Sequence, residues 1–506
     1  LVKIPIFQGA LIKNHEESPV SRSLRGLTLA VVVALALVFP ATRSPAQQPH
    51  LPDLGGSADL VISSAQERRL GKAFMRGVRE ALPVIEDPIL ADYLESLGNR
   101  LVAASTAGAG RYSFFWVENP TINAFAGPDG HIGVFSGLAL AGENESELAA
   151  VLAHEIAHVT QRHLLRFFED RKRLIIPATA AIIAAAVLGT HVDADLGAAA
   201  TAGIQAAAMQ RQINFTRENE KEADRIGIAT LAAAGFDSYA MPSFFERLAR
   251  VNRTREISAP EYLRTHPVTN SRIADALSRA DRYGRKQRPD DLRFHLARAR
   301  LRARSFSNTR KAIAHFRSQL KSKRYRNEVA AHYGYALGLV RGNRIRAARA
   351  VVEKLVARYP NQAEFIILEA RIDTRRGAGD RAVKTLQTAV GLRPSSIPLR
   401  IAYADILMAE GHPARALKIL EDVASRRPGQ AAIYQRMSDA ALKAGRKAAT
   451  HRYRAEKFYA EGDLEPAIHQ LEIALRQPGL SYHDASRIQV RLDAIKREEK
   501  DARGKL

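Results

Sequence analysis

His154 and His158 stand four residues apart in the run His154-Glu155-Ile156-Ala157-His158. On a helix that spacing puts both imidazoles on one face, where each can reach one cation at about 2.0–2.1 Å. Glu155 follows the first candidate ligand, so it lies beside the ion without sharing its vertex. A general base sits there to take a proton from the attacking water. A catalytic zinc needs three protein ligands and one open position. The third is offered downstream, in Glu220-Lys221-Glu222-Ala223-Asp224. Glu220 and Asp224 again share a helix face: Glu220 can ligate the metal, and Asp224 can accept a hydrogen bond from a ligand imidazole and fix its tautomer. Glu222 points elsewhere and reads as surface. His131, His163 and His191 have no partner at a useful spacing and read as incidental.

Cysteine is absent. Disulfides, Cys-ligated zinc, thiol nucleophiles and lipid anchoring through Cys are therefore excluded, and His and carboxylates must hold any metal.

The elements that would position these residues are legible in the periodicity. Residues 62–105 read as helical, with apolar positions around Leu70, Phe74, Val78 and Leu82, then Leu90, Tyr93, Leu94 and Leu97. Strands follow at 112–118 and 123–126, and Asp129-Gly130 makes a hairpin turn into 131–135. The edge of such a sheet can pair with an extended substrate backbone, which gives affinity without sequence preference. Asn144 is the expected N-cap of a helix that carries His154 and His158 and runs to about Phe168. Two Ala-rich segments, 174–188 and 194–209, follow. They read either as a helical hairpin over the site or at a membrane surface, or as two buried helices. A helix from about Arg217 to Ala234 ends at Gly235 with Phe236 in a Schellman stop.

At 506 residues the chain calls for about three units. The third is repetitive. Pro360, Pro394 and Pro428 are spaced by 34 residues, as are Gly377, Gly411 and Gly445, and Ala336, Ala370 and Ala404. Ala382 and Ala416 keep the same interval. That period, with small residues inside helix pairs, is the tetratricopeptide signature, and stacked pairs build a concave protein-binding surface. Gly462 and Ala467 fall off this phase and suggest a shifted capping repeat.

Arg22 and Arg25 precede an apolar run from Leu27 to Phe39, then Pro40 and Ser44-Pro45-Ala46. This reads as an export signal cleaved near Ala46, too short to span a bilayer as a helix. The expected domains are a leader at 1–46, a metalloprotease domain at 47–285 with the Ala-rich hairpin at 174–210, and repeats at 286–506. The formal net charge is +23, and from Arg285 onward 47 Lys and Arg face 23 Asp and Glu. No aromatic-basic interleaving accompanies the charge, so the reading is a solvated Arg-rich face and no nucleic acid.

Asn123-Ala124-Phe125-Ala126, the His-Glu-Ile-Ala-His run, Glu220-Lys221-Glu222-Ala223-Asp224 and His266-Pro267 with Arg272 together resemble the Ste24/HtpX-type zinc metallopeptidases. The export signal and the repeats resemble the periplasmic branch of that family linked to outer-membrane β-barrel assembly. The resemblance implies a mainly α fold with a small β-sheet: a zincin-like α+β metalloprotease domain followed by a tetratricopeptide α-solenoid. It implies one Zn2+ on His154, His158 and Glu220, Glu155 as base and acid, and Asp224 behind a ligand. It places His266 on a loop over the site, either as a fourth ligand that holds the enzyme latent or as an oxyanion donor. Arg272 is either an electrophile or the anchor of that loop. The implied activity is exported endopeptidase action on misfolded or misassembled outer-membrane proteins, with the repeats docking assembly machinery or client, and peripheral membrane contact possible. Two alternatives stand: a chaperone or scaffold whose protease is latent, and a basic array that binds lipopolysaccharide.

Overall fold

Apolar residues at helical spacing and capped helix ends dominate the architecture. A computed structural model describes residues 63–106, 110–168, 217–254, 261–286 and 288–503. The expected export signal and the Ala-rich hairpin, with His191, lie outside the described residues. Among the described residues no helix is long and apolar enough to cross a membrane.

The first helical stretch is two helices, α1 (Ser64–Ala81) and α2 (Pro88–Ala104), not one run over 62–105. Pro83 and Pro88 account for the break, since proline disfavours helix at the residue before it. Ser63 and Gln66 close a capping box at the start of α1. Strands β1 (Ser113–Val117), β2 (Ala124–Ala126) and β3 (His131–Phe135) form a sheet in the order β1-β3-β2. β1 runs parallel to β3, and β2 pairs antiparallel with it, Phe125 opposite Gly133. Asp129 and Gly130 turn the β2–β3 connection with φ of 56° and 72°, as the hairpin reading requires. β2 is thus an edge strand.

α3 (Ser136–Ala141) leads to α4 (Glu145–Thr160), which is N-capped by Asn144 through its side chain to the Glu147 amide. α4 is buried through nearly its whole length, including His154, Glu155 and His158. It does not continue to Phe168. Arg162 takes a left-handed φ of 52°, and α5 (His163–Phe168) starts in a new direction. α6 (Arg217–Ala233) ends as expected: the Phe236 amide donates to the Leu231 carbonyl and Gly235 has φ +76°. α6 crosses α4 closely at Gly227, where a Cβ would come 3.2 Å from the His154 nitrogen. α7 (Ala240–Thr254), α8 (Glu261–Thr265) and α9 (Asn270–Asp281) complete this half of the chain.

The repeats are helix pairs: α10 (Leu292–Ser305) with α11 (Thr309–Ser322), α12 (Glu328–Arg341) with α13 (Ile345–Arg358), and α14 (Ala363–Arg375) with α15 (Gly379–Leu392). Then come α16 (Ile397–Ala409) with α17 (Pro413–Arg426), α18 (Ala431–Lys443) with α19 (Lys447–Glu461), and the last helices α20 (Leu464–Leu475) and α21 (Tyr482–Arg503). Gly377, Gly411 and Gly445 turn their pairs with φ of 76°, 78° and 71°, the left-handed conformation that favours glycine. The last repeat is shifted in phase, as the sequence reading expects, and Ala467 is fully buried as Ala382 and Ala416 are. Gly462, φ 88°, turns α19 into α20 with the Asp463 amide on the Phe458 carbonyl, the bond that Ala378, His412 and Arg446 make after the 34-residue glycines. Gly479, φ 75°, follows Pro478 as Gly429, φ 80°, follows Pro428. One pair earlier than the glycines, Asn343 fills that position at φ 55°, which asparagine tolerates better than most residues.

α10 is buried on two sides. Phe294, Ala297 and Leu301 join the core of the N-terminal half, while Leu296, Ala299 and Ala303 join the core of the repeats. Arg300 on this helix is buried. Its Nε donates to Asp87, the N-cap of α2, at 2.7 Å, and its Nη1 to the Tyr333 hydroxyl at 2.9 Å. The last repeats return to α1, where Lys72 pairs with Glu498 and Arg76 with Asp463, both at 2.9 Å.

Burial raises the Asp87 pKa, but the Arg300 guanidinium outweighs it and holds the carboxyl below its ordinary 3.8. A depressed carboxylate contributes stability above its ordinary pKa and loses it as pH falls through the folded value. Arg300→Met strands Asp87 and is expected to cost about 3–5 kcal/mol at pH 7. Urea unfolding at pH 7 and pH 3 checks this: the gap between wild type and variant should narrow at the lower pH.

Candidate metal centre

The four-residue step along α4 brings the two imidazoles together as its periodicity requires, with the Nε2 atoms of His154 and His158 3.0 Å apart. α6 brings Glu220 across the Gly227 crossing. Its Oε2 lies 3.5 Å from His154 Nε2 and its Oε1 3.5 Å from His158 Nε2. His266, just past α8, completes the group: its Nδ1 is 2.9 Å from Glu220 Oε1 and 3.3 Å from His154 Nε2. One donor atom from each of these four residues lies within 4.8 Å of all the others, and all four residues are buried.

Two carboxylates flank this group. Glu155 is 1% exposed and neither of its oxygens has a hydrogen-bond partner. His266 Nε2 is 3.6 Å from Glu155 Oε1. Asp224 Oδ1 lies 2.9 Å from His154 Nδ1, on the far side of that ring from the donor cluster. Arg272, at the start of α9, spends its donors behind the site. Nε and Nη2 reach the two oxygens of Asp224 and Nη1 reaches Glu220 Oε2, each at 2.8 Å. Nη1 also donates to the Pro267 carbonyl at 2.8 Å. Every nitrogen of the guanidinium is therefore engaged by an acceptor within the fold.

The electrostatics follow from burial and neighbours. Burial opposes charge on His154, yet its contacts with Asp224 and Glu220 prevail and push its pKa up to about 9. Burial and the His154 charge hold His158 well below the usual range. Burial raises Glu155, and the His266 and His154 rings only partly offset this. Burial also opposes the ionised forms of Glu220 and Asp224. His266 and His154 nevertheless keep Glu220 well below the usual range, and His154 and Arg272 keep Asp224 below it. The protein's own field thus draws a positive charge to His154. A divalent cation satisfies the same field, and neutral imidazole nitrogens with a carboxylate oxygen are the donors a borderline ion such as zinc takes.

Spacing missed three contributors. His163, read as incidental, is buried, with its Nδ1 2.9 Å from His158 Nδ1 and its Nε2 3.1 Å from Glu222 Oε2. Glu222 is correspondingly not a free surface group: its side chain is 30% exposed, and Arg166 also reaches it at 3.5 Å. A continuous helix would carry residue 163 about 140° round from His158; the left-handed Arg162 folds it back instead. Tyr262 is fully buried and stacks on His266, ring centroids 4.9 Å apart, and its carbonyl accepts from the His266 amide at 2.8 Å. Its four-residue distance from His266 was the available signal. His131 is half-buried and lies away from this group, and desolvation with nearby Arg79 and Arg111 pushes it down to about 4.

The profile of Peptidase family M48 matches residues 88–280, and a tetratricopeptide repeat profile matches residues 374–444. The chain is 34% identical over 470 residues to the beta-barrel assembly-enhancing protease of Escherichia coli (strain K12), covering 93% of this chain and 95% of that protein. It is 35% identical over 467 residues to the putative beta-barrel assembly-enhancing protease of Vibrio cholerae, covering 92% and 96%. A shorter similarity, 27% over 224 residues, links it to the mitochondrial metalloendopeptidase OMA1 of Arabidopsis thaliana, covering 43% of this chain and 42% of that protein.

Arg272→Leu leaves Glu220 and Asp224 buried without their shared counter-charge. The expected cost is about 3–5 kcal/mol, read by chemical denaturation of chelator-treated protein. An unchanged midpoint would show that Arg272 does not hold the two carboxylates.

Proposed function

The chain belongs to Peptidase family M48 and is a metalloendopeptidase, and we propose that it is an exported, zinc-dependent one acting in outer-membrane protein quality control. The observation that carries this reading is the buried convergence of His154, His158, Glu220 and His266 beside Glu155. The client class, misfolded or stalled β-barrel proteins, is inferred from relatives named beta-barrel assembly-enhancing protease that match nearly end to end. The export reading adds a periplasmic site of action after removal of a leader near Ala46. The boundary between peptidase and repeats is placed at 285/286, just before α10, and the repeats are assigned to holding client or assembly machinery.

His154, His158 and Glu220 are assigned as the zinc ligands. The ion supplies a Lewis acid that polarises the scissile carbonyl and makes water a nucleophile at neutral pH. Glu155 takes the proton from the attacking water and returns it to the leaving amine; its burial holds its pKa up, toward the range such a group needs. Asp224 orients the His154 ring through Nδ1, and Arg272 holds Asp224, Glu220 and the Pro267 turn in place. With its donors committed to these partners, Arg272 is assigned a positioning role in preference to that of electrophile. β2 offers the edge to which an extended client can add, alongside α4.

His266 is assigned as a fourth donor. Its Nδ1 lies within the ligand group, and a fourth protein ligand occupies the position that catalysis keeps open. The resting enzyme is then latent, and the loop carrying His266 must withdraw for turnover. This arrangement also favours a second reading, in which the repeats do the main work as a chaperone or scaffold and proteolysis is rare.

Glu155→Gln is expected to abolish casein or denatured-client cleavage while the protein still holds one zinc per chain by atomic absorption. Retained cleavage would discard the hydrolytic role. In cells lacking the protein, full rescue by the same variant would favour the scaffold reading. His266→Ala is expected to raise cleavage severalfold if the loop is inhibitory; a fall in kcat with zinc retained would instead assign His266 to oxyanion stabilisation.

A further inference from the structure

The first repeat carries a concentration of positive charge that the peptidase chemistry does not use. A cavity of about 530 Å³ lies between α10, α11 and the start of α12. His295, Arg298 and Arg302 reach it from one face of α10, His315 from α11, and Arg324 and Arg326 from the turn before α12. The spacing 295, 298, 302 is one helical stripe, and the left-handed Lys323, φ 53°, ends α11 and starts the turn that carries the last two arginines.

Among the described residues no carboxylate forms an ion pair with any of these four guanidiniums. Asp290 faces the group from the segment before α10 but lies 3.5 Å from His295 Nε2. Glu147 on α4, whose charge is felt at Arg298, is taken by the guanidinium of Arg247. Arg298 is fixed from behind: Nη2 donates to the Leu140 carbonyl at 3.1 Å and the guanidinium lies 5.3 Å from the Phe294 ring centre. Its Nη1 is buried without a partner. Arg326 is anchored to the Glu143 carbonyl. Burial, with the charges of Arg326 and Arg302, pushes Arg298 down to about 10. Like charges have thus been gathered at a cost that their own neighbours do not offset.

We propose that this cavity binds a phosphate-bearing anion through Arg298, Arg302, Arg324 and Arg326. Guanidinium forks match the spread charge of phosphate oxygens and donate two parallel hydrogen bonds. The N-terminal turn of α12, with Asn327, Ala330 and Ala331 lining the same cavity, adds the positive end of a helix dipole. The volume exceeds that of one phosphate group, so the ligand is a phosphorylated small molecule or a phospholipid headgroup. Both present the same chemistry, and they are separable by experiment.

The full-length chain is titrated calorimetrically with inorganic pyrophosphate at constant ionic strength, and separately co-floated with phosphatidylglycerol or phosphatidylcholine vesicles. The comparison protein is the double variant Arg302→Gln/Arg324→Gln, which leaves the peptidase centre untouched; an unchanged melting temperature shows that it folds. Pyrophosphate is expected to bind wild type and to bind the variant at least about tenfold more weakly. Flotation with phosphatidylglycerol that the variant loses assigns a lipid headgroup, and pyrophosphate binding without flotation assigns a soluble ligand. The proposal is overturned if neither probe binds above a chloride control, or if the variant binds as well as wild type. It also fails if a glutamate-rich peptide binds and pyrophosphate does not.

Discussion

Everything at the centre depends on two helices crossing without a side chain between them. α4 and α6 meet at Gly227, where even a methyl group would crowd the His154 backbone nitrogen. That approach lets a carboxylate from one helix reach two imidazoles on the other. It also gathers three buried carboxylates into a space where charges are costly. Arg272 and the imidazoles supply the compensating charge, so packing and electrostatics are solved by the same set of contacts. A cation at the shared donors belongs to the same solution, since it satisfies the field that pulls a proton onto His154.

The loop that carries His266 is held from both ends. On one side Tyr262 stacks on the imidazole, and its backbone amide bonds to the Ile122 carbonyl, just ahead of the edge strand. On the other, Arg272 grips the Pro267 carbonyl while holding Asp224. Movement of this loop is therefore coupled to the carboxylates behind the site and to the segment leading into β2. The Tyr262 amide on the Ile122 carbonyl, 3.1 Å, is the backbone link between that loop and the start of the edge strand.

The repeat array is not a loosely tethered appendage. α10 contributes to two hydrophobic cores at once, and the buried Arg300 joins the N-cap of α2 to Tyr333 of the second repeat. The far end of the array returns to α1 through Lys72 and Arg76. The repeats are thus packed directly on the helices that position the donors. The basic cavity of the first repeat lies at this same junction, against Leu140 at the end of α3.

Local periodicity was enough for everything that repeats within a few residues or at a fixed interval. The i, i+4 pairs His154/His158 and Glu220/Asp224, the Schellman stop at Gly235 and the 34-residue glycines are all written in neighbouring positions, because helix geometry alone relates them. Tertiary structure decided what no spacing rule encodes. It turned the chain at Arg162 so that His163 backs His158, and it gave Glu222 a partner. It brought His266 into the donor group, and it engaged every nitrogen of the Arg272 guanidinium with acceptors of the fold. Those outcomes depend on how separate elements pack, and packing is set by contacts between residues whose distance along the chain carries no signal.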